Sequence, residues 1–236
     1  MRLTSILGFA AVALAGASAA EAQLATRTFR VTPAFGYVRF DEATSIESSA
    51  HVGLSTDFAI TPNIAVGLSF GSAQPQTHAE DFLRAQRFGD TTYVFGVRQS
   101  LSVLDYGARA LVALPELARL APYAHGGAGF YTIYLDPQIS GGPSRVTKTM
   151  FSIGGGANVR VRGRAGVTLD VRDMIFTGYN RDRLYPATPS DFAFGEDFPK
   201  AAATKRTTHN LVFSIGFSFT PSLGDTGDDT DDGDDR

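Results

Sequence analysis

The chain has 236 residues, 21 Lys and Arg against 24 Asp and Glu, no Cys and no Trp. Without Cys there is no disulfide framework, no Cys-ligated metal centre, no thiol nucleophile and no lipoprotein anchor, and 43% hydrophobic residues exclude wholesale disorder. The mildly acidic balance argues against a dedicated nucleic-acid binder. The acidity is concentrated: residues 220–236 hold seven Asp, whereas residues 23–219 hold 19 bases and 16 acids.

In chain order, Arg2 precedes an apolar run from Ile6 to Leu14 and a small-residue stretch, GASAAEA. A positive start, a short apolar segment and an A-x-A ending predict a secretory signal peptide over residues 1–22, cleaved after Ala22. The run is too short and too Ala-rich for a transmembrane anchor.

The body then alternates with period two, the mark of strands with one apolar face. Residues 28–40 set Phe29, Val31, Phe35 and Tyr37 against Arg30, Thr32, Ala34 and Gly36. Residues 49–60 set Val52, Leu54, Phe58 and Ile60 against His51, Gly53, Ser55 and Asp57, and residues 64–71 set Ile64, Val66, Leu68 and Phe70 against Gly67, Ser69 and Gly71. The TPN segment, 61–63, is a tight turn between them. Residues 72–90 read as a long polar loop. Residues 91–103 are the fourth predicted strand, with Tyr93, Phe95, Val97, Leu101 and Val103 on its apolar face. Residues 104–121 read as an extended turn with a short helix, or as an overrun of strand four.

Residues 122–135 are strand-like, although their many Gly blur the facing. Residues 147–161, 165–172 and 207–219 complete eight predicted strands, the last with Leu211, Phe213, Ile215, Phe217 and Phe219 on one face. A second tight turn falls at 162–164, a loop rich in Gly and Pro at 136–146, and a long loop at 177–205.

A sandwich buries such apolar faces inside, and an outer-membrane barrel turns them to lipid. The export signal, strands of about the length that spans a bilayer, small and charged residues sharing the second face, and aromatics near strand ends favour the barrel. The fold expected is all-β: an eight-stranded antiparallel up-and-down transmembrane barrel over 23–219, in the bacterial outer membrane, with both ends on the periplasmic side. A soluble exported β-sandwich binding module is the alternative.

Four segments carry a family resemblance: PYAHGGAGFY (122–131), GGGANVRV (154–161), GVTLDVRD (166–173) and LVFSIGFSF ending at Phe219. Together they resemble the OmpA/OprF-like eight-stranded outer-membrane β-barrel proteins, over about residues 27–219. The resemblance implies a monomer in contact with outer-membrane lipid, and Phe219 is similar to the terminal aromatic signal read by the barrel assembly machinery. Two departures from the family pattern are the long 104–121 segment and a Phe219 that is not terminal.

The inward face of such a barrel would carry Arg30, His51, Asp57, Arg98, Lys148, Arg160, Asp170 and Arg172. These are expected to pair and fill the lumen, with Asp170 and Arg172 at the centre of the network. A narrow, anion-biased pore is the second reading. No H-E-x-x-H occurs, and no Ser accompanies His125 or His209 as a deacylase would need, so no catalytic residue and no cofactor is expected. The Gly-rich stretches lie in strands and read as close packing rather than phosphate cradles. Residues 220–236 form an acidic tail without core-forming composition. It resembles the Asp-rich linkers that in larger relatives lead to a peptidoglycan-binding domain. Within it Asp228 and Asp232 are weak Ca²⁺ candidates, because the distal Glu of a calcium loop is missing. The expected role is structural, in envelope integrity, or in surface interaction through loops 72–90 and 177–205.

Overall fold

The computed structural model describes residues 28–96, 98–117, 120–135, 145–162, 165–184 and 206–221. The signal segment 1–22, the turn centre 163–164, most of loop 136–146, residues 185–205 and the tail with Asp228 and Asp232 lie outside the described residues.

Among the described residues ten strands form: β1 (Phe29–Arg39), β2 (Ser49–Thr61), β3 (Ile64–Ala73), β4 (Leu83–Phe88), β5 (Thr91–Gly96), β6 (Leu101–Ala113), β7 (Leu120–Leu135), β8 (Arg145–Arg162), β9 (Ala165–Thr177) and β10 (Thr207–Phe219). Eight of them close into one barrel in the order β1-β10-β9-β8-β7-β6-β3-β2. Every pair in it is antiparallel, and the barrel closes where β1 meets β10, with Val31 opposite Phe219. Closure gives each ladder group a partner and leaves no edge, which lipid demands.

The outward face is the apolar one. Phe35, Leu68, Ile153, Ile215 and Phe217 all stand more than half exposed on the barrel wall. In water such a continuous belt would drive aggregation, whereas in a bilayer it is the contact surface. The β2–β3 turn is as short as its sequence suggests, and Thr61 Oγ1 accepts from the backbone N–H of Ile64 at 3.0 Å.

The fourth barrel strand differs from expectation. It is β6, not 91–103, and it contains no helix. Residues 91–96 instead pair with 83–88 in a separate two-stranded hairpin, turned at Gly89 with φ of 62°. The physical reason lies in the facing of Leu101 and Val103. Both point inward and are buried, so they cannot share a lipid-facing stripe with Tyr93 and Phe95. The overrun reading of 104–121 describes the segment as far as Ala113.

Four of the aromatics near strand ends, Phe40, Tyr123, Phe176 and Tyr179, turn inward and are buried instead of forming a girdle. Most of them belong to the packing of the loop end. There Val38, Leu101, Val103, Tyr131, Ile133, Met150, Met174, Phe176 and Val212 come from the strands, and Phe40, Ile46, Phe82, Tyr179 and Leu184 from the connections. Together they make one apolar plug inside the mouth. Tyr131 and Phe176 stack with ring centroids 3.9 Å apart. The connections also bond one another: the buried Tyr179 hydroxyl donates to Thr44 O at 2.6 Å, and Arg181 Nη1 lies 3.3 Å from Ser45 Oγ. At the opposite, terminal end a smaller cluster of Ala59, Ala65, Leu111 and Tyr123 closes the floor.

Candidate functional site

Between plug and floor the inward positions carry charge. On β2 and β6, Asp57 and Arg109 face each other across β3, where Gly67 leaves them room. Arg109 donates to both Asp57 oxygens, Nε to Oδ1 at 2.8 Å and Nη2 to Oδ2 at 2.7 Å, and Arg30 Nη2 reaches Oδ2 at 3.3 Å. Arg109 Nη2 also lies 3.0 Å from Ser55 Oγ. A planar fork against a carboxylate is the geometry in which a buried ion pair offsets most of its desolvation cost.

Toward the plug, Asp105 accepts from Arg172 Nη2 at 2.8 Å, and its other oxygen lies 3.1 Å from His51 Nε2. His51 Nε2 is also 3.3 Å from Arg172 Nη2. A side chain at position 71 would collide with the Asp105 carboxylate and the His51 ring, so Gly71 is what allows this cluster. Around the wall, Asp170 Oδ2 accepts from the Tyr123 hydroxyl at 2.8 Å and faces His125 Nε2 at 3.0 Å. A Cβ at Gly156 would lie 2.6 Å from that hydroxyl. Nearer the floor, Asn158 Nδ2 donates to Ser218 Oγ at 2.6 Å and Thr168 Oγ1 at 3.1 Å.

Of the eight residues singled out from sequence, five lie in this interior: Arg30, His51, Asp57, Asp170 and Arg172. Asp170 and Arg172 do not share a partner, since the first belongs to the Tyr123–His125 cluster and the second to the Asp105–His51 cluster. The other three stand apart. Arg98 lies in the connection before β6, 62% exposed, and pairs with Glu47 at 3.3 Å. Arg160 is at the terminal rim, 65% exposed, with Glu116 3.7 Å away. Lys148 is exposed near the loop-end mouth. Alternation gives the parity of Lys148 and Arg160 on β8 but not their height in the barrel, and Arg98 falls outside the barrel strands because 91–96 form the separate hairpin.

Sequence reasoning missed Asp105, Arg109, Tyr123 and His125 as interior groups. For the first two the signal existed: Asp105, Gly107 and Arg109 alternate with Tyr106, Ala108 and Ala110, a period of two inside the segment read as a turn.

A further acid–His pair lies on the outward face near the loop end, where Asp173 Oδ2 is 2.7 Å from His209 Nδ1. In the connections, burial raises the Tyr179 phenol well above its ordinary pKa of 10. Among the described residues no group of three or more His, Cys, Asp or Glu is placed to hold a metal ion.

The profile of the outer membrane protein beta-barrel domain matches residues 7–219. The chain belongs to that family. It is an outer-membrane protein of the Gram-negative type. Neisserial surface protein A superposes with a TM-score of 0.53 at 11% identity, covering 82% of this chain and 97% of that one. OprG from Pseudomonas aeruginosa gives 0.46 at 11% identity over 85% of this chain and 99% of that one. The N-terminal barrel domain of Pseudomonas aeruginosa OprF gives 0.40 at 14% identity over 82% and 98%. At these identities the likeness is one of fold. No curated protein sequence matches the chain.

Proposed function

We propose that this barrel is a closed, non-catalytic scaffold of the outer membrane, whose loops make its outward contacts. The observation that carries the reading is the apolar plug. An aqueous path along the axis would have to pass Phe82, Tyr131, Phe176 and Leu184, all essentially inaccessible to solvent. Beneath it the carboxylates are engaged by guanidinium, imidazole or phenol groups, so the charges hold strands together rather than line a bore. The anion-biased pore has no such support. The acid–His pairs inside the wall are sealed from any substrate, and this favours a role without chemistry.

On this reading the protein is a monomer in contact with outer-membrane lipid, and Phe219, on the closing strand, is the element offered to the assembly machinery. The β4–β5 hairpin is the part best placed for contact. It stands apart from the barrel sheet and leaves Phe88, Tyr93, Val94 and Phe95 exposed, while its stem is tied down by the buried Phe82.

The test is complementation of a strain lacking the protein. Wild-type chain and a chain with 83–96 replaced by a short turn should both restore resistance to detergent if the barrel itself is the scaffold. Only the wild type should restore surface binding or adhesion. Failure of the wild type to restore envelope resistance would count against the scaffold role.

A further inference from the structure

A strand inside a closed barrel gives its backbone groups alternately to its two neighbours, so a proline there removes one ladder bond. β1 carries Pro33. Thr28 O accepts from Ala59 N–H at 3.0 Å, and alternation counted from that bond turns the even residues of β1 toward β2 and the odd ones toward β10. Pro33 therefore faces β10, across the seam that closes the barrel, and the register sets Phe217 opposite it. The carbonyl of Phe217 receives no bond from β1, because Pro33 has no N–H to give. The β1–β10 pairing shows the consequence. It is continuous from Arg39 opposite Leu211 to Ala34 opposite Gly216, lapses at Pro33 and Thr32, and resumes only at Val31 opposite Phe219. On its other side β1 pairs with β2 without a break, Pro33 included.

Side chains pull the same way. Arg30 is tied to Asp57 on β2 at 3.3 Å, and Ser218 to Asn158 on β8 at 2.6 Å. Among the described residues no side-chain hydrogen bond or ion pair joins 29–36 of β1 to 214–219 of β10. The loop end of the same seam is pinned. Asp41 N–H donates to Asn210 Oδ1 at 3.1 Å, His209 N–H to Asp41 Oδ2 at 3.3 Å, and Asn210 Nδ2 to Met174 O on β9 at 3.0 Å. A small cavity of about 50 Å³ lies behind the gap, lined there by Thr32, Ala34, Ser214 and Gly216. A water in it can bond the Phe217 carbonyl once the strands part, so opening costs less than leaving that group to lipid.

We propose that the terminal part of the β1–β10 seam is a hinged joint. It opens ahead of the other ladders, from Phe219 back to Phe217, and the pinned loop end is its hinge. Opening gives the interior a sideways path for water that bypasses the plug, so the joint does not depend on the mouth being closed.

β10 carries its own control, because its odd amides face β1 and its even amides face β9. Hydrogen exchange followed by NMR on the full mature chain, refolded in detergent, should find Phe217 and Phe219 exchanging at least about tenfold faster than Gly216 and Ser218 at the same height. Fraying of the whole strand end would speed both sets alike and would overturn the joint. Pro33→Val restores the donor and should bring the two sets within about threefold of each other. Should that variant not fold, Thr32→Cys with Ser218→Cys staples the gap in a chain with no other Cys. The two positions form a non-hydrogen-bonded pair, whose Cα atoms lie about 4.5 Å apart, within disulfide reach. The oxidised form should lose the fast exchange and the reduced form keep it. Fast exchange at Phe217 and Phe219 that persists in the oxidised form would also overturn the joint.

Discussion

β7 and β9 each run through both halves of the barrel interior, and each changes chemistry on the way. At the loop end β7 contributes Tyr131 and β9 Phe176, stacked ring on ring. Lower on the same strands β7 contributes Tyr123 and His125, and β9 contributes Asp170, joined by hydrogen bonds. The upper half is held by area removed from water and tolerates any filling of similar volume. The lower half is held by partners, and each group there is costly once its partner is gone. One wall thus presents two kinds of fragility, and the substitutions below separate them.

The largest effect is expected at Asp57. Replacing it by Ala leaves the Arg30 and Arg109 guanidiniums buried without their shared carboxylate, a loss of about 3–5 kcal/mol. Urea unfolding of the refolded barrel should register it, and Asp57→Asn should recover only part. In the plug, Phe176→Ala removes a stacked ring and leaves a cavity, costing about 3 kcal/mol. Phe176→Leu should recover most of that. If the conservative change at Asp57 were tolerated as well as the one at Phe176, the two halves would not differ in kind.

Tyr179→Phe is expected to cost about 1–2 kcal/mol, because Thr44 O is left buried without its donor. The pH dependence of the same residue sharpens the point. Its folded pKa is raised above the ordinary phenol value, so its contribution is complete below pH 10 and is lost as the pH climbs beyond it. Wild-type loops should loosen in that alkaline range, followed by proteolysis or hydrogen exchange, and the Phe variant should not share the step. The smallest effects belong to the rims. Arg98→Ala and Arg160→Ala break exposed pairs and should each change stability by less than about 0.5 kcal/mol.

The same contrast explains what could be read from sequence. In the lower half one face is apolar and the other small or polar, so alternation in 28–36, 51–60 and 64–71 gave the strands and their facing together. In the upper half the inward face is apolar too, so an alternating apolar position no longer marks the lipid side. Leu101 and Val103 therefore share the sequence pattern of lipid-facing residues although they belong to the plug, and the hairpin residues Tyr93 and Phe95 continue the same pattern outside the barrel sheet. The displacement of the fourth barrel strand hid Asp105 and Arg109, two of the best-bonded interior charges. Phe40, Ile46, Phe82 and Tyr179 lie in connections, where no period exists to reveal that they fold back into the mouth. Pairings such as Tyr123 with Asp170 join residues 47 apart, and only the register of the closed sheet determines them.

The most direct test of the closed interior is single-channel recording of the mature, folded chain in a planar bilayer. The plug predicts no steady conductance for the wild type at moderate voltage. Steady openings in the wild type, with a size that changes on replacing Arg109 or Arg172, would show that ions pass where the structure has Tyr131 against Phe176, and would contradict the account.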